Sequence, residues 1–208
     1  MMLFDLHVHT SEYSSCSKVS FEDIVTEAVK KGLDGICITD HDNFGARELV
    51  QEYQSPDLLV FLGIEVLTKQ GDILVFGAYD IPSDMLDASE LINIVKNQGG
   101  VTVAAHPYRT NNRGIGDNIS CLKDLTAVEV LNGNTDITNN KRALKSAFDC
   151  EKVMIGASDA HIASQVGVYA TKFDYQITKI SDLVYAIKNN LATPMLYNEK
   201  DKKYLNWR

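Results

Sequence analysis

The chain has 208 residues, 45% of them hydrophobic and 23% charged, with a formal net charge of -8. That length buries a core without disulfide or metal staples, and the composition excludes a disordered or fibrous chain. The acidic balance argues against a surface that grips long nucleic acids through clustered Lys and Arg, but leaves room for a small anionic substrate, because bound divalent ions reverse the local sign in a cleft.

The opening MMLFDLHVHT puts Asp5 and His7 where the apolar core of a secretory leader would lie. No stretch approaches the ~20 apolar residues of a membrane helix. Cys16, Cys37, Cys121 and Cys150 are scattered and form no CxxC pair. The expectation is reduced thiols in a cytoplasmic protein that contacts no membrane.

Residues 2–8 read as a buried strand, with Leu3, Phe4 and Leu6 running into a polar cluster. A helix follows: Ser20 is a good N-cap, Asp23 sits three residues on, and Ile24, Val25, Ala28 and Val29 repeat at helical spacing up to Gly32. Residues 35–39 form a second apolar run, stopping at Asp40 and His41. The rhythm then repeats. Helices are expected over 43–53, 88–97, 138–148 and 181–190. Strands are expected over 58–66, 73–78, 101–105, 127–131, 153–157 and 168–173. This alternation predicts βαβ units and a parallel sheet. No linker or low-complexity segment interrupts it, so one domain over 1–208 is expected, with 108–118 a loop at the mouth of the site.

Nearly all the chemistry-bearing residues share one position, the C-terminal end of a strand. His7 and His9 end the first, Asp40 and His41 the second, and Glu65 lies near the end of the third. His106, Asn132, Asp159 and His161 obey the same rule, whereas Asp72 opens its strand. Sites of parallel α/β folds assemble at that edge. Neutral imidazole and carboxylate are ligands for Zn, Mn or Fe. His7 and His9 are two apart, so both face one side of a strand, and Asp159 and His161 have the same spacing. A bridging carboxylate such as Glu65 would let two or three ions bind and polarise a phosphate. Bland roles compete residue by residue: Asp40 is a reasonable helix N-cap, and Pro107 biases His106 toward a simple turn.

The ordered set DLHVHT, TDHDN, GIE, AHPYR, EVLNGN and GASDAH resembles the polymerase and histidinol phosphatase (PHP) family, from about residue 3 to about residue 190. The resemblance implies a distorted (β/α)7 barrel of mostly parallel strands, holding two or three divalent ions (Zn, Mn or Fe, with Mg also compatible). It implies hydrolysis of a small phosphate ester by a metal-bridging hydroxide. His7, His9, Glu65 and Asp159 match a first metal site. Glu65 would bridge to a second held by His106, and His41 and His161 match a third, with Asp40 beside them. Two positions depart from the pattern. Asp72 stands where many members carry histidine, a harder ligand that tilts its ion from Zn toward Mn, Fe or Mg. SEYSSCS offers Glu12, Ser15 or Cys16 where members carry Asp or His.

Asp159, His161 and Arg109 are the expected catalytic residues, with Arg109 clamping phosphate bidentately and either a metal-bound water or His161, where it is not tied up as a ligand, protonating the leaving alcohol. Arg113 reads as a solvated loop residue, and Lys141 and Arg142 as the start of a helix. Asn132 either orients a ligand or shapes a turn. Two other classes stay open. A non-catalytic metal-stabilised module would turn over no substrate. An amidohydrolase-type enzyme usually uses a strand-end Lys, and no strand here ends in a convincing one.

Overall fold

The computed structural model describes residues 1–207. Ten strands form a single sheet: β1 (Met2–Val8), β2 (Gly35–Ile38), β3 (Leu59–Thr68), β4 (Gly71–Phe76), β5 (Val101–Ala104), β6 (Ala127–Asn132), β7 (Val153–Ala157), β8 (Tyr169–Phe173), β9 (Ala192–Asn198) and β10 (Lys203–Asn206). The helices are α1 (Phe21–Lys30), α2 (Arg47–Glu52), α3 (Ala88–Asn97), α4 (Ile137–Asp149) and α5 (Ile180–Lys188). Four of them start within one residue of where the sequence suggests, with buried apolar positions at helical spacing. The Ser20 hydroxyl accepts from Asp23 N before α1, and the Asp136 carboxylate caps α4.

The sheet runs β10-β9-β8-β1-β2-β3-β4-β5-β6-β7. Four neighbouring pairs are parallel and five antiparallel. The α/β class is as expected, but the mostly parallel (β/α)7 barrel is seen instead as a mixed, curled half-barrel. The reason is local. Strands β3 and β4 form a hairpin, and the β5–β6 and β7–β8 connections carry only 3-10 turns. The ladder also stays open between its ends. There β7 meets β8 through the Thr171 hydroxyl, which donates to Gly156 O at 2.8 Å and accepts from Gly156 N at 3.1 Å. A lone parallel bridge joins Val8 to Ala160.

The interior of the curl is filled by Phe4, Leu6, Leu74, Phe76, Val103, Ile155 and Phe173, joined by Leu183 and Ile187 of α5. Second and third apolar clusters bury α3 and α4, and α1 and α2, against the outside. Strands covered on both faces read as continuous apolar runs, which is why β2, β4, β5 and β6 were legible. The expected helix over 43–53 shrinks to Arg47–Glu52. Asn43 accepts from Gly45 N at 2.8 Å and donates to His41 O at 2.8 Å, a local turn that competes with helix. No helix among the described residues is long and apolar enough to cross a membrane.

Candidate metal centre

Because β1, β2, β3, β5, β6 and β7 run in one direction, their C-terminal ends meet at one edge. His9, His41, His106, Asp159 and His161 lie just past those ends, and His7 and Glu65 lie within β1 and β3. Asp72 joins them for a simple reason: β4 returns antiparallel from β3, so its first residues occupy the same edge. His106 and Asp159 adopt left-handed backbone, at φ 30° and 53°. Such conformations are costly for residues with a Cβ and concentrate at functional sites.

The side chains converge. Nε2 of His7 and Nε2 of His9 stand 2.9 Å apart. Glu65 Oε2 is 3.3 Å from His7 Nε2, 3.1 Å from His9 Nε2 and 3.1 Å from His41 Nδ1. Its other oxygen, Oε1, is 2.8 Å from His106 Nε2. Asp159 Oδ1 lies 3.4 Å from His7 Nε2 and 3.3 Å from His9 Nε2, yet it makes no hydrogen bond. These atoms aim at shared points rather than at one another. Asp72 Oδ1 is likewise buried without a partner, and Asp72 Oδ2 is 3.7 Å from His106 Nε2. Ligand atoms of His7, His9 and Glu65, of Glu65, Asp72 and His106, and of His9, Asp159 and His161 each fall within 4.8 Å of one another. Buried imidazoles and orphaned carboxylate oxygens at such spacing fit divalent ions.

The motifs that hold these residues belong to a recognised set. Residues 5–112 match the family model described as PHP domain, and 138–190 match one described as PHP-associated. This chain belongs to the PHP domain family. An uncharacterized protein of Methanocaldococcus jannaschii is 37% identical over 67% of this chain and 88% of its own. Among solved structures, PsfC from Pseudomonas syringae shares the fold at TM-score 0.77 and 18% identity, covering 97% of this chain and 93% of that one. The lesion-specific endonuclease EndoQ from Pyrococcus furiosus does so at TM-score 0.69 and 17% identity, over 90% of this chain and 56% of that one. Membership supports a metal-dependent hydrolase.

One expectation falls here. Endonuclease Q is also similar in its complex with a 27-mer duplex substrate carrying an abasic lesion. A protein that shares this fold therefore acts on DNA, and net charge alone does not exclude such a partner. Charge summed over a whole surface says little about a cleft whose field bound cations dominate.

The charged groups of the PHP centre shift one another's protonation. Burial pushes His7 down, but Asp159, Glu65 and Glu129 around it outweigh that and hold it well above the usual imidazole range. Glu65 and Asp159 are held well below the carboxylate range, because His7 and its neighbours overcome the opposing effect of burial. His41 is lowered to about 4, chiefly by burial, and His161 is lowered by the same cause. Asp72 is pushed up to about 7 by burial and the charge of Glu65, against the pull of Arg113. Three buried carboxylates facing His7 thus demand positive charge at the middle of the site.

Asp40 is not brought into the cluster as a ligand. Its carboxylate is saturated by Thr10 N at 2.7 Å, Thr10 Oγ1 at 2.8 Å and Ser14 Oγ at 2.6 Å; it anchors the loop after β1. Arg113 is not a solvated loop residue either. Its Nε donates to Asp72 Oδ2 at 2.6 Å, and one terminal nitrogen lies 3.2 Å from His41 Nδ1. Arg109 reaches Asp159 Oδ2 and donates to Asn132 Oδ1 at 2.8 Å, so its guanidinium does sit at the site. Asn132 also donates to Glu129 Oε2 at 2.9 Å and Asp159 Oδ2 at 3.2 Å, orienting both carboxylates. Arg142 points away, to Asp117.

Sequence reading missed two buried carboxylates. Glu129 Oε1 lies 3.1 Å from His7 Nδ1, and its Oε2 accepts from His106 N at 2.6 Å. Asp5 accepts from Ser158 N and Gly167 N, each at 2.9 Å. The available signal was a lone acid inside an apolar strand, as in AVEVLN.

Proposed function

We propose that this PHP domain acts as a single-domain, metal-dependent phosphoester hydrolase. The observation that carries the reading is Glu65: one oxygen faces His7, His9 and His41 while the other faces His106. That is the disposition of a carboxylate shared by two ions. His7, His9, Glu65 and Asp159 would hold the first; Glu65, Asp72 and His106 would hold the second. Zinc, manganese and iron suit these donors, and the carboxylate share keeps magnesium compatible. Bound there, such ions screen phosphate charge and lower the pKa of water to near neutrality.

The chain's own groups do the remaining work. Glu129 accepts from Nδ1 of His7 and so turns its Nε2 lone pair inward. Arg109, held by Asn132, presents a guanidinium beside Asp159 with its buried Nε unpartnered. That donor would clamp an equatorial phosphate oxygen. His161 is part-exposed at the cleft mouth and would deliver a proton to the departing alkoxide. A small phosphate ester is the substrate we favour, because the carboxylate-rich centre needs cations before it can meet any anion. A phosphodiester within nucleic acid is the second reading, prompted by the fold shared with Endonuclease Q, of which this chain spans about half, 56%.

The test is turnover of phosphomonoesters, phosphodiesters, an abasic-site duplex and amides by protein reconstituted with zinc, manganese or iron. Phosphoester hydrolysis lost in a folded Asp159→Ala variant is expected. Full activity in that variant, turnover of amides alone, or turnover of nothing in the panel would overturn the reading.

A further inference from the structure

We propose that a groove between α2, the first half of β3 and the start of α5 binds a small amphiphilic anion. Its ligand would be an acyl or aromatic carboxylate, with the apolar body on Phe61, Leu62 and Ile180 and the head at Arg47. The groove encloses about 380 Å³, within the roughly 300–1,000 Å³ of small-molecule sites. It arises where the sheet leaves an edge uncovered. Strand β2 pairs with residues 59–62 of β3 on one side. On the other side β4 reaches only as far as Gly63, so that stretch of β3 has no neighbouring strand there.

The walls are fixed without a ligand. The Gln54 amide closes the uncovered edge: it donates to Val60 O, donates to Val50 O at 2.9 Å and accepts from Val60 N at 3.3 Å. Helix α2 is thereby tied to β3. On the opposite wall, Asp182 Oδ2 accepts from Thr178 Oγ1 at 2.8 Å and from Lys179 N at 3.2 Å. On the floor, Phe61 stacks against Phe4 with ring centroids 5.8 Å apart. Such preorganisation lowers what a ligand must order on binding.

Charge selects the ligand. The chain carries a net -8, yet no acidic residue lines this groove, and Arg47 and Lys179 both do. Arg109, Arg113 and Arg142 each meet a carboxylate. Among the described residues Arg47 meets none. Its guanidinium rests instead 5.4 Å from the centroid of the Tyr79 ring, which Phe44 braces edge-on at 5.6 Å. A guanidinium on an aromatic face keeps its N–H fork available, and that fork matches a carboxylate bidentately. Tyr79 is 39% exposed, and Phe61 and Leu62 are not fully covered, so apolar surface waits beside the cation. A neutral ligand would leave both cations unused, and an inorganic anion would leave the floor wet. No residue of the metal centre lines the groove, so the two sites are tested separately.

The probe is 8-anilinonaphthalene-1-sulfonate, an aromatic anion that fluoresces when its body leaves water. It is titrated into the full-length protein with and without manganese. One saturable site of equal affinity in both conditions is expected, displaced by decanoate and not by decylamine. Arg47→Gln should weaken binding about tenfold, the loss of one charge-assisted hydrogen bond. Ile180→Glu puts like charge on the floor, while a glutamate suits the first turn of a helix; it should abolish binding with circular dichroism unchanged. N-phenyl-1-naphthylamine, which lacks the sulfonate, should bind about tenfold more weakly than the anion. Wild-type affinity in both variants, or equal binding of the two dyes, would overturn the proposal. So would loss of the site on adding manganese, which would assign the dye to the metal centre. A dimer in sedimentation that Ile180→Glu dissolves would assign the groove to a second copy of the chain and overturn it equally. None of these readings uses turnover, so the phosphoesterase reading stands or falls apart from them.

Discussion

Arg113 Nε donates to Asp72 Oδ2 at 2.6 Å, and the same guanidinium lies 3.2 Å from Nδ1 of His41. A cation drawn to Asp72 must therefore compete with a cation the chain already supplies. Replacing Arg113 with Gln should tighten manganese binding by roughly tenfold, the ~1.5 kcal/mol of a charge-assisted hydrogen bond. The size of the gain depends on pH. Asp72 is already raised to about 7 by burial and Glu65, and loss of Arg113 sends it higher. The gain is thus full only above the variant's higher value and shrinks as pH falls and protons occupy the carboxylate. Chelator competition at pH 8.5 and 6.5 reads both effects; weaker binding at pH 8.5 would show that Arg113 supports the ion rather than opposing it.

Glu129 is the residue that sets how His7 presents its ring. With its Oε1 3.1 Å from Nδ1 of His7, it fixes the tautomer that leaves Nε2 free as a donor atom. Outer partners of this kind change metal affinity by about 10–100-fold. Glu129→Gln should therefore weaken zinc or manganese binding within that range while circular dichroism stays native. An affinity within twofold of wild type would mean that His7 is oriented by packing alone.

The core of the centre was legible because its signals are local. His7 and His9 sit two apart on a strand, and strand ends followed by His or Asp repeat through the chain. What stayed hidden depends on distant partners or on chain reversal. Asp72 looked like an exception only because the β3–β4 hairpin was read as two parallel strands. Arg113 meets Asp72 across 41 residues of sequence, and nothing near it announces that. Strands β9 and β10 were missed because β9 is only partly buried and carries Pro194, and β10 is mostly exposed and opens on Lys203, so no clean alternation marks them.

Asp5 closes the curl where the ladder does not. One oxygen accepts from Ser158 N after β7, the other from Gly167 N before β8, and both bonds are buried. Asn in its place would turn an amide N–H toward one of those backbone donors. The unsatisfied pair should cost about 1–3 kcal/mol, seen as a lower urea midpoint with unchanged slope. Stability within 0.5 kcal/mol of wild type, roughly the scatter of neutral surface changes, would show that the curl is held by apolar packing alone.

Gly133 explains why EVLNGN ends as it does. A Cβ built there would overlap the carbonyl oxygen of Ser158 and come within 3.0 Å of Val168 Cγ2. The close approach is to backbone, which cannot swing aside as a side chain can. That backbone leads directly into Asp159, whose φ of 53° is already costly. Gly133→Ala should therefore act twice. Overpacking should lower stability by about 1–3 kcal/mol, and the shifted 158–159 segment should pull Asp159 from His7 and His9 and weaken metal binding. The two effects separate by measurement, since denaturant midpoints report the first and chelator competition on folded protein reports the second. Lost stability with unchanged metal affinity would place the Gly133 contact outside the chain of packing that positions Asp159.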